Sequence, residues 1–420
     1  MTTEAEARSD GSDNFDVRSL LSATVLIPGS GYLVDMFDLF MFNMVRVKSL
    51  TDLGLTAEQV THMGMQIINA QLLGLIVGSY IWGVLGDRRG RKQVLLNSIL
   101  LYSLSSLLTA FVQADWCYAL LRFFTGVGLA GELGAGITLI SEKFSDKRRG
   151  LGVGIFIILG FVGVLLASAA AQYLPWRTCY FIGGILGLLL LFFRFALKES
   201  ALFENARAMK QNGVSFGGLK PFLMDSSRRL KYVSGILVLL PSVFIPQILW
   251  SLSPEIALSK GVSGVIPAQV LGYGYTCVIV GDLFAIMLAE KIKDRKLVIS
   301  LFSVTGCVVF ALFSLWHYQS ALQFYVLSSC LGFAFGTWVV GATMVAEMFG
   351  TNLRATAATT IPNFCRGCVI PMNAVVILLK PSMGIVAAIS AVGATIFLLS
   401  LAALFFVKDT YGREMDYAEA

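Results

Sequence analysis

A handful of charged residues fall inside long apolar stretches of this 420-residue sequence, chiefly Asp35, Asp38, Arg122, Glu132, Asp282 and Arg366, with Arg194 near the end of another such stretch. An ionisable group that deep in an apolar segment is costly, and marks a functional site by default. Asp35 and Asp38 stand three residues apart in Gly-Tyr-Leu-Val-Asp-Met-Phe-Asp-Leu-Phe, so a helix puts them on one face. Two carboxylates that close repel when both ionise, which suits the pair to holding a proton; the alternative is a pair that caps a helix or meets a loop cation. Glu132 lies in Gly-Glu-Leu-Gly-Ala-Gly, whose glycines permit close helix approach and are expected to bring it against the first span. Arg122 is ten residues earlier on the same helix, about 15 Å away. It reads as a partner in proton relay or an anchor for an anion, against the alternative of a buried ion pair that only holds helices together. Arg366, in Asn363-Phe-Cys-Arg366-Gly, carries a permanent charge that must pair with a carboxylate or meet an anionic ligand. Asp282 is the expected carboxylate. Tyr32, Asn43, Gln66, Asn69, Gln71, Gln247, Trp250, Tyr273, Tyr275, Trp338 and Asn363 are the polar and aromatic candidates for lining a ligand cavity, although each alone also fits packing or interfacial anchoring. Cys365 and Cys368 form a lone Cys-x-x-Cys with no second pair or nearby histidine, so neither a metal nor a cofactor is expected.

The elements that must position these residues follow from composition. The sequence is 56% AVILMFWYC and only 14% charged, where soluble domains carry about a quarter charged residues. Its mean hydropathy is +0.76. These values exclude a soluble enzyme, a nucleic-acid binder and a disordered chain, and leave a polytopic protein whose main partner is the lipid bilayer. The apolar runs show no alternation of polarity, so the spans are helices rather than barrel strands. Stretches of about 20 apolar residues place twelve transmembrane helices near 20–45, 64–86, 94–113, 116–141, 151–173, 177–197, 231–252, 266–290, 297–316, 320–346, 355–379 and 383–407. The expected organisation is all-α: a tail at 1–19, a six-helix bundle at 20–197, a central loop at 198–230, a second six-helix bundle at 231–407 and a tail at 408–420. The polar start at 1–18 reads as no cleavable signal, and the apolar run after it as a retained first helix. With the N-terminus inside, 24 of the 32 Lys and Arg fall in cytoplasmic segments and five in outer loops, which makes both termini cytoplasmic and accounts for the net charge of +6. Pro241, Pro246 and Pro254 predict a broken or kinked seventh span.

The two halves repeat. Ser141-Glu142-Lys-Phe144 with Arg149-Gly150 matches Ala346-Glu347-Met-Phe349 with Arg354-Ala355 at a constant offset of 205. Gly83-Val-Leu-Gly-Asp87-Arg88-Arg89-Gly90-Arg91-Lys92, between spans two and three, resembles the loop signature of the major facilitator superfamily, and Arg122-Phe-Phe-Thr-Gly126-Val-Gly128 resembles that family's fourth-helix motif. The resemblance covers the whole chain. It implies a secondary transporter with a site between two six-helix bundles and alternating access. Physically, a carboxylate at a helix end among cations can lock two helices in one conformation and release them in another. Gly83, Asp87, Arg88, Gly90, Arg91, Glu142, Arg149, Glu347 and Arg354 are the candidates for such a latch. A basic loop that only fixes topology accounts for the cations but not for Asp87 or the glycines.

Asp-x-x-Asp-Leu-Phe in the first span, with Glu132 ahead of Glu142, looks like the phosphate:proton symporter branch and its metabolite:proton relatives. That branch has an aspartate in place of Glu132 and continues Tyr-Pro-Leu where this chain has Leu133, Gly134 and Ala135. The difference removes an expected phosphate ligand and favours another small polar, anionic metabolite. The expected function is therefore proton-coupled symport by a monomer in a bacterial inner membrane, with a small-molecule cargo and protons as partners. Proton-driven export of an organic cation, drug or siderophore is the alternative, and a non-transporting receptor on the same fold a third. No nucleophile–base pair, metal site or phosphate loop points to an enzyme.

Overall fold

A computed structural model describes residues 23–89, 91–133, 136, 146–195, 222 and 224–412. All regular structure among them is helical. The first half of the chain holds α1 (Ala23–Asp52), α2 (Ala57–Arg89), α3 (Arg91–Thr109), α4 (Asp115–Leu129), α5 (Asp146–Tyr173) and α6 (Trp176–Phe195). The second half holds α7 (Ser226–Phe244), a π-helical turn (Ile245–Trp250), α8 (Ser253–Ser259), α9 (Pro267–Ile292), α10 (Arg295–Leu315), α11 (Ala321–Ala334), α12 (Trp338–Glu347), α13 (Thr351–Gly367) and α14 (Val369–Phe406).

By length and composition, seven helical stretches among the described residues can cross a bilayer, and Gln93–Thr109 and Trp176–Phe192 are shorter apolar helices. The chain is thus an all-helical integral membrane protein. The longest stretch, Thr356–Phe406, is interrupted at Gly384, whose φ of 79° is non-helical; this falls where the sequence expected one span to end and another to begin. The proline-rich seventh span is indeed irregular: α7 passes into the π-helical turn, and Pro254 starts a new short helix. A π segment inside an α-helix is uncommon and often found at functional sites.

The packing repeats between halves. In the first, α1 packs on α5, α2 on α4 and α3 on α6; in the second, α7 packs on α13, α9 on α11 and α10 on α14. The α2–α4 and α9–α11 crossings bring backbones together at glycines. A Cβ on Gly126 would overlap the Gln71 carbonyl, and one on Gly332 the Gly274 carbonyl. Small residues at such crossings replace the hydrophobic drive that lipid cannot supply. Gly126→Val is expected to destabilise by at least about 1–3 kcal/mol through overpacking, read as a lowered Tm of the purified protein. Within the fourth expected span, α4 ends at Leu129 and the chain turns at Ala130–Gly131 before the helical residues Glu132 and Leu133. The second half breaks at the equivalent place, between α11 and α12.

Of the expected latch side chains, that of Glu347 is among the described residues. Gly90 and Glu142 lie outside the described residues, as do the side chains of Asp87, Arg88, Arg91, Arg149 and Arg354; Gly83 lies within α2. Glu347, at the end of α12, forms an ion pair with Arg295 at the start of α10 and accepts a hydrogen bond from Thr410 Oγ1 at 2.8 Å. Asp409 accepts from the amides of Arg295 and Lys296 at 2.9 and 3.2 Å. The charged end of α12 therefore closes on α10 and on the chain segment after α14.

Candidate functional site

Two buried polar groups converge on α1. In the first, Arg122 Nη1 from α4 lies 3.3 Å from Asp38 Oδ1, which also accepts from Ser106 Oγ at 2.7 Å. The same guanidinium donates to Thr109 Oγ1 and sits 4.7 Å over the Tyr180 ring. Every partner is buried, so removing either charge would strand the other in an apolar interior.

One turn earlier on α1 the arrangement differs. Asp35 is 2% exposed, and neither carboxylate oxygen has a hydrogen-bond partner. Its electrostatic neighbours are Glu132, Arg194, Tyr102 and Asp38. Tyr102 from α3 lies beside it with a hydroxyl that is likewise outside hydrogen-bond geometry. Glu132 lies within electrostatic reach of Asp35 and itself pairs with Arg194 of α6 at 2.5 Å and accepts from Ser98 Oγ of α3 at 3.2 Å. Gly131 packs on Ser98 and Trp82.

A cavity of about 40 Å³ lies between the two halves of the chain, lined from α1, α5, α7, the π turn, α9, α12 and α13. Aromatic rings dominate its wall: Phe40, Phe161, Trp250, Tyr275, Phe335 and Trp338. Among its lining residues Arg366 is the single charged one. Its guanidinium donates to Asn363 Oδ1 at 3.3 Å and Tyr32 Oη at 3.5 Å, both longer than the usual N–H···O range, and lies 5.7 Å over the Trp338 ring. Among the described residues it has no carboxylate partner. The expected partner, Asp282, is elsewhere. It accepts from the Val339 amide at 3.0 Å, because the start of α12 leaves backbone donors that a buried carboxylate can satisfy. Tyr32 stacks on Phe156 at 4.6 Å, and Trp250 packs edge-on against Tyr275.

Of the eleven polar and aromatic residues expected in the cavity, Gln247, Trp250, Tyr275 and Trp338 line it, while Tyr32, Asn43, Gln66, Asn69, Gln71, Tyr273 and Asn363 do not. Tyr273 is 52% exposed and pairs with Tyr325, while Tyr275, two positions on, faces the cavity. Gln66 is exposed. Asn69 is bound instead to Asn373 Nδ2 at 2.7 Å.

Above the cavity, at the end of α1 expected to face outward, the halves are zipped together. Asn43 Nδ2 donates to Gln247 Oε1 at 2.7 Å. One turn on, the buried Arg46 pairs with Glu255 at 2.7 Å and donates to the Ser251 carbonyl at 2.9 Å. Thr61 Oγ1 adds a bond to Glu255 at 3.2 Å. Positions 43 and 46 thus run along positions 247, 251 and 255. Gln247 belongs to both the zipper and the cavity wall.

The sequence profile of the major facilitator superfamily matches residues 29–370. The chain belongs to this superfamily. The probable 4-methylmuconolactone transporter of Cupriavidus pinatubonensis is 27% identical over 339 residues, covering 78% of this chain and 76% of the relative. The putative niacin/nicotinamide transporter of Bacillus subtilis is 25% identical over 349 residues, covering 81% and 84%. The 3-(3-hydroxy-phenyl)propionate transporter of Escherichia coli is 36% identical over 146 residues, covering 34% and 36%. Membership in the major facilitator superfamily makes this protein a transporter and not an enzyme.

Sequence reasoning missed three charged members of this facilitator's buried network. Arg194 stands in Leu-Phe-Phe-Arg-Phe near the end of an apolar run, a signal equal to that of Arg366. Arg46 and Glu255 read as loop charges because they flank spans. They form an ion pair only because α1 and α8 meet.

Proposed function

We propose that this major facilitator protein is a proton-coupled symporter of a small organic anion, one that joins a carboxylate to a flat ring, working by alternating access. The reading places twelve spans in two six-helix bundles, with both termini cytoplasmic, in a bacterial inner membrane. One observation carries it: among the described residues, Arg366 faces the cavity with only long hydrogen bonds to neutral groups and no carboxylate. A carboxylate entering the cavity would give the guanidinium the bidentate partner its geometry suits. The aromatic wall suits a planar ring, and Trp250 holds a buried indole N–H without an acceptor. The three relatives described above are named for a lactone, a pyridine and a phenylpropionate, all small ring compounds. A cationic cargo would be repelled by Arg366, and Asp35, Asp38 and Glu132 are not among the cavity-lining residues, which disfavours the export of cations.

Alternating access assigns the Arg46–Glu255 zipper to the outer gate. Arg46→Glu is expected to hold the gate open, raising labelling of a cysteine introduced in the cavity by an external, membrane-impermeant thiol reagent. Adding Glu255→Arg restores the pair with its charges exchanged and lowers labelling again. Equal labelling in the single and double variants would remove the gate assignment.

The test of the function is counterflow and gradient-driven uptake in proteoliposomes. Nicotinate and 3-(3-hydroxyphenyl)propionate serve as probes, with phosphate and an organic cation as controls. Accumulation of a ring carboxylate under an inward proton gradient supports the reading. Gradient-driven efflux, or uptake of the cation alone, would refute it.

A further inference from the structure

The buried charges on α1 do not balance. Asp38 has its own guanidinium in Arg122. Asp35 and Glu132 have one between them, Arg194, and it is engaged by Glu132. The position of Arg194 is set by Gly31. A methyl group at residue 31 would overlap the Arg194 guanidinium, so the absence of a side chain there seats that group directly against α1. Gly31 and Asp35 are four residues apart, on the same face of one helix. Arg194 therefore lies within reach of both carboxyls, bonded to one and one turn from the other. Around Asp35 the facing titratable and charged groups are Asp38 from α1, Tyr102 from α3, Glu132 after α4 and Arg194 from α6; Arg122 from α4 is taken by Asp38.

We propose that Arg194 is the counter-ion that fixes the proton occupancy of this cluster at one: Asp35 and Glu132 share a single guanidinium, so whichever carboxyl lacks it carries the proton. In the conformation described, Glu132 holds Arg194 and Asp35 holds the proton. Transfer of that proton to Glu132 leaves Asp35 charged and draws Arg194 along α1 toward it. The inference rests on reading this cluster as the proton site of the transporter. Arg194 acts through Asp35 and Glu132, and is a positioning residue.

Infrared spectroscopy of the full-length protein in liposomes tests this without a cargo, because protonated carboxyls give a C=O stretch of their own. The wild type at neutral pH is expected to show a protonated-carboxyl band that Asp35→Asn removes. Glu132→Gln frees Arg194 for Asp35, and the Asp35-dependent band is lost. Arg194→Gln leaves both carboxyls without a cation, and a second, Glu132-dependent band appears. The double variant Glu132→Gln/Arg194→Gln restores the single Asp35-dependent band, whereas a merely structural ion pair predicts no such rescue. Arg194→Lys keeps the charge and the wild-type band. A wild type with no Asp35-dependent band, a Glu132→Gln protein that retains it, or a double variant that lacks it would overturn the proposal. The expected bands together with no proton-driven uptake of any ring carboxylate would refute the proposed transport function and leave Arg194 as counter-ion. Proton-driven uptake with the wrong bands would do the reverse.

Discussion

Asp35→Asn is expected to abolish proton-driven accumulation while leaving counterflow exchange and thermal stability intact. Asp38→Asn is expected to lose accumulation and stability together. The two carboxylates are three residues apart on one helix, but their surroundings are opposite. Asp35 has no hydrogen-bond partner at either oxygen. Replacing it with an isosteric amide removes the proton carrier, breaks no ion pair and keeps a polar group facing Tyr102. Asp38 neutralises Arg122, which is fully buried. Its loss strands a guanidinium among Thr109, Ser106 and Tyr180, and breaking a buried pair that way costs about 3–5 kcal/mol. Thermal unfolding in detergent and gradient-driven uptake in liposomes, measured on the same preparations, separate the two effects. Normal accumulation in Asp35→Asn would remove its coupling role. A stability loss in Asp35→Asn matching that of Asp38→Asn would show that Asp35 has a cation of its own.

Arg366→Gln is expected to weaken binding of a ring carboxylate by about 2–5 kcal/mol, roughly 30-fold or more in apparent affinity. The wild-type guanidinium has only long bonds to Asn363 and Tyr32, so its removal leaves neutral groups behind and little structural penalty. The loss should therefore appear in binding and not in the Tm of the empty protein. Arg366→Lys keeps the charge but loses the planar fork, and is expected to recover only part of the affinity. The contrast with a neutral probe is diagnostic. Nicotinamide, which has the ring of nicotinate without its charge, should bind equally to wild type and Arg366→Gln. Equal weakening of both probes would show that Arg366 shapes the cavity rather than pairing with a carboxylate.

How far the site was legible in sequence can be judged residue by residue. The Asp35–Asp38 spacing specifies a shared face, because helix periodicity is local. The repeat of small-Glu-x-Phe with a following arginine anticipated two halves with matching helix pairs, and the breaks at 130–131 and between α11 and α12 fall at equivalent places. The proline spacing of the seventh span anticipated its irregular turn. Partners were not legible. Asp282 was expected beside Arg366, yet it sits on the first amides of α12, since backbone donors at a helix start compete for a buried carboxylate. Arg194 carried the same sequence signal as Arg366, an arginine in an apolar run, but its role depends on Glu132, 62 residues away, and on a glycine in a third helix. Tyr273 and Tyr275 are equivalent in type; two residues turn a helix by about 200°, and packing sends one to the cavity and the other to the periphery.

The sequence by itself determined that this chain is helical, lies in a membrane, repeats itself and holds a few charges where charge is costly. Those properties depend on composition and on spacings of a few residues, which the chain carries whatever its fold. The tertiary structure alone decided which charge meets which. Arg122 is paired, Asp35 is left without a partner, Arg366 faces an aromatic cavity, and Arg46 closes on Glu255 across 209 residues. The physical reason is that burial sets the cost of an ion one residue at a time, while its neutralisation requires a second group brought close from a distant helix.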